Sequence, residues 1–431
     1  MNVRSIRAAA PYDQIRAILR GEAVEDPAFR EEVAGIIRAV IERGDEAVID
    51  FAERFDSSPA NSLAELRVGV DEMEAAAGTL PDGLIASLRS AAANIRRFHE
   101  RQLERGFLDL LPDGSVLGQR VAPLATVGVY VPGGRAAYPS SVLMTVVPAR
   151  VAGVERVVMT SPTPGGKVEN AVLAAAWIAG VDEIYRIGGA YAIAALAYGT
   201  ETIGAVDKIV GPGSRWVAEA KRQVFGQVDI DIIAGPSEIL VIADGSADPV
   251  HVAADLIGQA EHDPDAIAWL VTNDEGLAAA VPDALDDLLA RNPRREIAQT
   301  SLQQNGLIVI VPDLSAAAAV ANLRAPEHLE LLVAEPLQLA GGIRNAGAIF
   351  LGGHTPEPVG DYFAGPSHVL PTGGTARWAS PLGVYDFVKR TSIIGYSRER
   401  LERDGPEVIR LAESEHLAGH AEAVRVRLQG R

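Results

Sequence analysis

The runs VGVYVPGG (127–134), VVMTSP (157–162), IYRIGG (184–189) and IVGPG (209–213) decide the fold. Each is a short β-rich run that stops at glycine or proline, and each is followed by an alanine-rich stretch of helical periodicity. Such β-to-α units, one after another, predict a parallel sheet covered by helices on both faces. A second series of the same texture occupies 239–242, 269–272, 307–311, 331–333 and 349–351. The expected fold is therefore α/β, with two similar, incomplete Rossmann-like parallel-sheet modules and small helical segments at the termini. Open sheets of this kind hold ligands beyond the carboxyl ends of their strands, where these glycine-rich turns fall. None of the turns matches G-x-G-x-x-G, and glycine at a βα turn also answers a purely steric need.

Outside the two series the chain reads as helix. Asp26 and Pro27 form a helix start, Phe29, Val33, Ile36, Ile37, Val40 and Ile41 follow at helical spacing, and Gly44 is the stop. Helical periodicity continues to about residue 104, where His99 lies in the polar run Arg96, Arg97, Glu100, Arg101 and is expected at the surface. Beyond residue 382 a polar tail carries expected helices at 397–403 and 406–424. A tail of this size cannot bury a core unaided, so it is expected to dock on another domain or another subunit.

Bulk composition narrows the function. The 431 residues carry a formal charge of -18, which repels nucleic-acid backbones and anionic membranes and favours small-molecule partners. Without cysteine there is no disulfide, no thiol nucleophile and no thiolate metal site, so any metal must take nitrogen and oxygen ligands. No run has the length of a membrane span, and the first ten residues lack the apolar core of a signal peptide, so the expected location is the cytoplasm.

The chemistry concentrates between residues 322 and 371. Glu327 and His328 stand side by side after Pro326, followed by Asp361 and His368. A carboxylate beside an imidazole supplies two proton carriers suited to acid/base work near neutrality. Glu327 and His328 also fit the polar first turn of a helix opened by Pro326. Gln259 and His262 lie three residues apart at the end of a helix opened by Asp248 and Pro249, either as a metal half-site or as a helix cap. His416 and His420 are four apart in the tail, a spacing that permits chelation or plain solvent exposure.

Taken together, Gly128 to Arg135 with Tyr138 to Ser141, Ala234 to Ile239, Gln259 to Asp263, Ala325 to Leu329, Gly360 and Asp361 with His368 to Thr372, and Glu415 to His420 resemble the histidinol dehydrogenase family. These stretches follow the family's order over nearly the whole chain. The resemblance implies a zinc enzyme that oxidises L-histidinol to L-histidine through the aldehyde with two NAD, in histidine biosynthesis. It places Zn2+ on Gln259, His262, Asp361 and His420. It makes His328 the base for both hydride transfers and Glu327 the base that activates water on the aldehyde. Substrate contacts fall on Ser237, His368, Glu415, His328 and the four metal ligands. Tyr130 matches a cofactor position, whereas Tyr191 and Ser214 stand where the family commonly has glutamine and asparagine. A phenol at 191 is expected to stack on a cofactor ring instead of donating an amide hydrogen bond.

The implied organisation is a helical segment at 1–25, one α/β domain from 26–129 and 237–381 bearing the metal and catalytic residues, a cofactor-side α/β domain at 130–236, and a tail at 382–431 exchanged in a homodimer. Two other readings fit parts of the pattern: a related zinc and NAD dehydrogenase for another polar alcohol, and a two-domain ligand-binding protein without turnover. The second leaves the paired Glu327 and His328 without a task.

Overall fold

The computed structural model describes residues 3–20, 26–133, 138–163 and 167–429. Gly134 and Arg135, part of the motif after the first β-run, lie outside the described residues. In chain order, β1 (Arg4–Arg7) and β2 (Arg67–Val68) precede a hairpin of β3 (Phe107–Leu110) and β4 (Val116–Pro123). The first β/α series comprises β5 (Thr126–Tyr130), β6 (Arg156–Thr160), β7 (Glu183–Tyr185), β8 (Lys208–Val210) and β9 (Asp229–Ile230). The second comprises β10 (Glu238–Ala243), β11 (Ile267–Thr272), β12 (Leu307–Ile310), β13 (His328–Leu332) and β14 (Ala348–Leu351), and β15 (Val388–Gly395) follows.

Both series build parallel sheets of one topology. The orders β7-β6-β5-β8-β9 and β12-β11-β10-β13-β14 are each 3-2-1-4-5 within their own series, the doubly wound order lacking its last strand. Each sheet gains one edge strand from the amino-terminal part of the chain: β2 joins β7 antiparallel, and β1 joins β12 parallel. Residues 1–25 therefore supply a strand as well as the helix Asp13–Arg20, where only helix was expected.

The strands of the β10 sheet are apolar on both faces because helices cover both. Along β10, Ile239, Val241 and Ala243 enter one core while Leu240 and Ile242 enter the other. The helices between residues 27 and 56 cover the β5 sheet, with Val33, Ile37, Val40, Val48 and Ala52 packed among Val158, Ile193, Leu196 and Ile209. Sequence reading grouped these helices with residues 237–381, whereas their apolar stripes lie against the other sheet. His99, expected at the surface, is fully buried at the end of helix Asp82–His99, its Nδ1 2.8 Å from Gln102 Oε1.

Two compact units result, Met1–Gln102 with Leu124–Phe387, and Leu103–Pro123 with Val388–Arg431. In the second unit β15, β4 and β3 form an antiparallel sheet, so the tail contributes a strand besides its helices. Its helix Arg398–Ser414 runs through Pro406 instead of breaking there. Gly405, lacking the Cβ that a proline ring would strike, stays helical and sits against Val424 and Leu428 of the next helix, Ala418–Gln429. No helix among the described residues is long and apolar enough to cross a membrane.

Candidate active site

Pro326 leads into a strand, not a helix. His328 is the first residue of β13, beside β10, and the Gly347 and Ala348 amides donate to the Pro326 and Glu327 carbonyls. Gly347 is required by this approach, since a Cβ there would lie 2.5 Å from the Glu327 carbonyl oxygen. Glu238, first in β10, organises the pair. Its amide donates to Glu327 Oε2 at 2.8 Å, and its carbonyl accepts from His328 Nδ1 at 3.1 Å. The Glu238 side chain is itself fixed by Arg324 and by the Gly373 amide at 2.9 Å. A hydrogen bond to a carbonyl holds the proton of a neutral imidazole on Nδ1, so Nε2 of His328 is the basic atom.

That nitrogen faces Asp361 Oδ1 at 3.5 Å, while Nδ1 lies 3.6 Å from Glu327 Oε2 and 3.8 Å from Glu357 Oε1. Burial opposes a charge on His328, but Glu357, Glu327 and Asp361 outweigh it and hold the ring well above its ordinary pKa. Burial pushes Glu327 up to about 8 despite the neighbouring imidazole. Asp361 stays below the usual carboxylate range because His328, His368 and His262 overcome the effect of its burial. His368 donates from Nδ1 to the Asp361 carbonyl at 3.0 Å and its Nε2 meets Ser141 Oγ at 3.2 Å.

Helix Pro249–Ala260 returns antiparallel to β10, which carries its carboxyl end back to the amino ends of the strands. There Gln259 is buried with Oε1 lacking any hydrogen-bond partner. His262 gives its Nδ1 to the Gly258 carbonyl at 2.9 Å, leaving Nε2 for a ligand. An orphaned buried amide oxygen, a free imidazole nitrogen and an ionised carboxylate fit a divalent cation with nitrogen and oxygen ligands. Among the described residues, the imidazole and carboxylate groups whose ligand atoms come within 4.8 Å of one another are His328, Glu357 and Asp361, a set that shares only Asp361 with the expected metal ligands. The acid/base cluster thus sits at the amino ends of the β10 sheet, not at the carboxyl ends that the glycine turns suggested.

The carboxyl ends of the β5 sheet carry the residues expected at the cofactor. The Tyr130 hydroxyl accepts from the Gly189 amide at 3.1 Å, and exposed Ser214 precedes helix Arg215–Val224. Gly189 (φ +60) and Gly211 (φ +110) adopt left-handed backbone there, and Gly211 also sits tightly against the Tyr130 carbonyl. This edge, between β5 and β8, is the switch point at which such sheets take dinucleotides. Tyr191 does not present its ring to solvent. It is 2 % exposed, it donates its hydroxyl to Asp56, and its ring packs 5.8 Å from Phe51. Half-buried Ser237 gives its carbonyl to the Ile267 amide. Glu415 and His420 lie in the second unit, Glu415 ending helix Arg398–Ser414 and His420 on the next helix, both exposed.

Sequence reading missed Glu238, Arg324, Glu357 and Glu330. Glu238 and Glu330 each place a charge inside an otherwise apolar strand, a signal that was available. Glu357 has no such mark.

The histidinol dehydrogenase family model matches residues 19–428. A histidinol dehydrogenase of Geobacter sulfurreducens is 52% identical over 429 residues, covering 100% of this chain and 99% of that protein. One from Dechloromonas aromatica is 50% identical over 416 residues, 96% of each chain. The crystal structure of histidinol dehydrogenase from Elizabethkingia anophelis superposes with a TM-score of 0.92 at 34% identity, covering 99% of this chain and 98% of that one. With that match spanning nearly its full length, the chain belongs to the histidinol dehydrogenase family.

Proposed function

We propose that this chain oxidises L-histidinol to L-histidine through the aldehyde with two NAD and a bound Zn2+, as a cytoplasmic homodimer in histidine biosynthesis. The observation that carries this reading is the Glu327 and His328 pair, clamped by one backbone unit of Glu238 and directed at Asp361. A binding protein has no use for two proton acceptors of different kind held on one point.

Gln259, His262 and Asp361 would hold zinc, with His420 as the fourth ligand. Bound zinc supplies a template for the imidazole and amine of the substrate, and bound NAD supplies the hydride acceptor. His328 takes the hydroxyl proton at Nε2 as the alcohol is oxidised and repeats the task on the hydrated aldehyde. Glu327, with Oε2 tied to the Glu238 amide, takes the proton of the hydrating water at Oε1. Burial raises the affinity of this carboxylate for a proton, which strengthens it as a base in its ionised form. Ser237, His368 and Glu415 line the substrate. The half built on the β10 sheet performs the chemistry, and the carboxyl edge of the β5 sheet, with Tyr130 and Ser214, receives NAD.

Exposed apolar side chains in the second unit, Leu108, Leu110, Ile394 and Leu411, support a tail that docks on a second subunit. NADH formation from histidinol, measured with zinc content before and after chelation, tests the reading. Two NADH per histidinol, lost on chelation and restored by zinc, is the expected result; turnover only on another alcohol would overturn it.

A further inference from the structure

Asp56 takes no part in the chemistry above, yet it is a buried carboxylate at the end of helix Asp45–Asp56, 7 % exposed. A buried carboxylate is costly unless it is paired. Asp56 accepts a hydrogen bond from the Tyr191 hydroxyl, in the first turn of the helix Gly189–Tyr198 that follows β7. Two residues on, Ser58 donates its hydroxyl to the Thr163 carbonyl at 3.1 Å, in the loop that follows β6. Between the two turns there is no slack: a Cβ on Gly188 would fall 2.3 Å from Pro162. On the opposite side the Gly189 amide is held by the Tyr130 hydroxyl. One short segment, residues 56–58, thus ties the connections that follow β6 and β7 at the carboxyl edge of the β5 sheet, and Tyr130 holds the start of the second from the opposite side.

We propose that Asp56 is a positioning residue of the dinucleotide site, acting through Tyr191 to hold the turn after β7 in the conformation that receives the cofactor. The inference rests on the reading of NAD as cofactor. Tyr191 then serves the site through its hydroxyl and not by stacking. Its ring is committed to Phe51 and Phe55, at 5.8 and 6.4 Å between centroids.

The test is NAD affinity measured by calorimetry on full-length, zinc-loaded protein, alongside thermal unfolding. Tyr191→Phe removes the donor and keeps the ring, and Asp56→Asn keeps the shape and removes the charge. Each is expected to weaken NAD binding about tenfold, the scale of one lost charge-assisted hydrogen bond, with zinc content unchanged. Because both act on one contact, the double variant is expected to match the single ones. Unchanged affinity in Tyr191→Phe, or losses that simply add in the double variant, would overturn the proposal. A lower unfolding temperature with normal NAD affinity would assign the pair to packing alone and overturn it equally. If Asp56→Asn does not fold, Tyr191→Phe decides by itself. Failure of the unaltered protein to bind NAD would instead remove the cofactor reading on which the inference stands.

Discussion

The carbonyl of Glu238 accepts the Nδ1 hydrogen of His328 at 3.1 Å, and this one contact decides which nitrogen of the ring is free to take a proton. With Nδ1 committed, Nε2 is left toward Asp361 and the space where a substrate hydroxyl would stand. The same residue presents its amide to Glu327, so an imidazole and a carboxyl group share one support at the head of β10.

The tasks proposed for His328 and Glu327 are separable. His328→Ala should slow oxidation of both the alcohol and the aldehyde by about a hundred- to ten-thousand-fold, the usual contribution of a positioned base. Glu327→Ala should spare the first oxidation and slow mainly the second, where water must be activated. Assaying each variant separately on histidinol and on the aldehyde checks this; equal losses in both steps for Glu327→Ala would falsify the division.

Arg324 holds Glu238 from a helix end 86 positions away in sequence, and both side chains are buried. Arg324→Met should cost about 3–5 kcal/mol of stability, because it strands a carboxylate in the interior. The double variant with Glu238→Gln should recover a large part of that loss, since the uncompensated charge is gone. Denaturant unfolding of the single and double variants measures it. A double variant no more stable than Arg324→Met would show that packing, not charge, is what the arginine supplies.

These supports explain what the sequence could and could not disclose. The strands β5 to β8 are legible because their β-rich runs end at glycine or proline, whereas the two-residue β2 and β9 are too short to show such a run. β13 is legible only at its end, read as 331–333, since His-Leu-Glu-Leu-Leu places two polar side chains inside a buried strand. They are tolerated because His328 meets Glu238 and Glu330 accepts the Glu357 amide at 2.7 Å, partners that no local pattern reveals. Glu327 and His328 are conspicuous as neighbours, whereas Glu238 acts on them largely through its backbone. Tyr191 was read as a ring offered to a ligand. The helix Gly189–Tyr198 instead turns it inward onto Asp56, a partner 135 positions earlier.

Glu330 gives a pH signature. Burial, together with Asp255, pushes its carboxyl up to about 10 from an ordinary 4.5. The folded chain therefore keeps a proton that the unfolded chain releases above the ordinary value. Stability from this group is complete below that value and is lost as pH rises toward 10. Glu330→Gln retains an oxygen for the Glu357 amide and has no proton to lose. Its unfolding temperature should match that of the unaltered protein near about pH 5 and exceed it by a few degrees near about pH 9. A gap that stays constant across that range would mean that Glu330 is ionised in the folded state.

If His420 is the fourth zinc ligand, the subunit that supplies it can be identified. His420 is exposed on helix Ala418–Gln429 of the second unit, and Gln259 and His262 sit at the end of helix Pro249–Ala260 in the first. If the tail crosses to a partner, each zinc site combines the core of one subunit with the tail of the other. His420→Ala and His262→Ala homodimers should then both be inactive and low in zinc. A mixed dimer of the two has one site with both defects and one with neither. It should bind one zinc per dimer and turn over at half the rate of the unaltered dimer. Differently tagged subunits, refolded together and isolated as mixed dimers, provide the sample. If the site were built within one chain, every site of the mixed dimer would carry one defect and no activity would return. The two architectures therefore differ by the presence or absence of a whole site, a difference that does not depend on how strongly either histidine binds the metal.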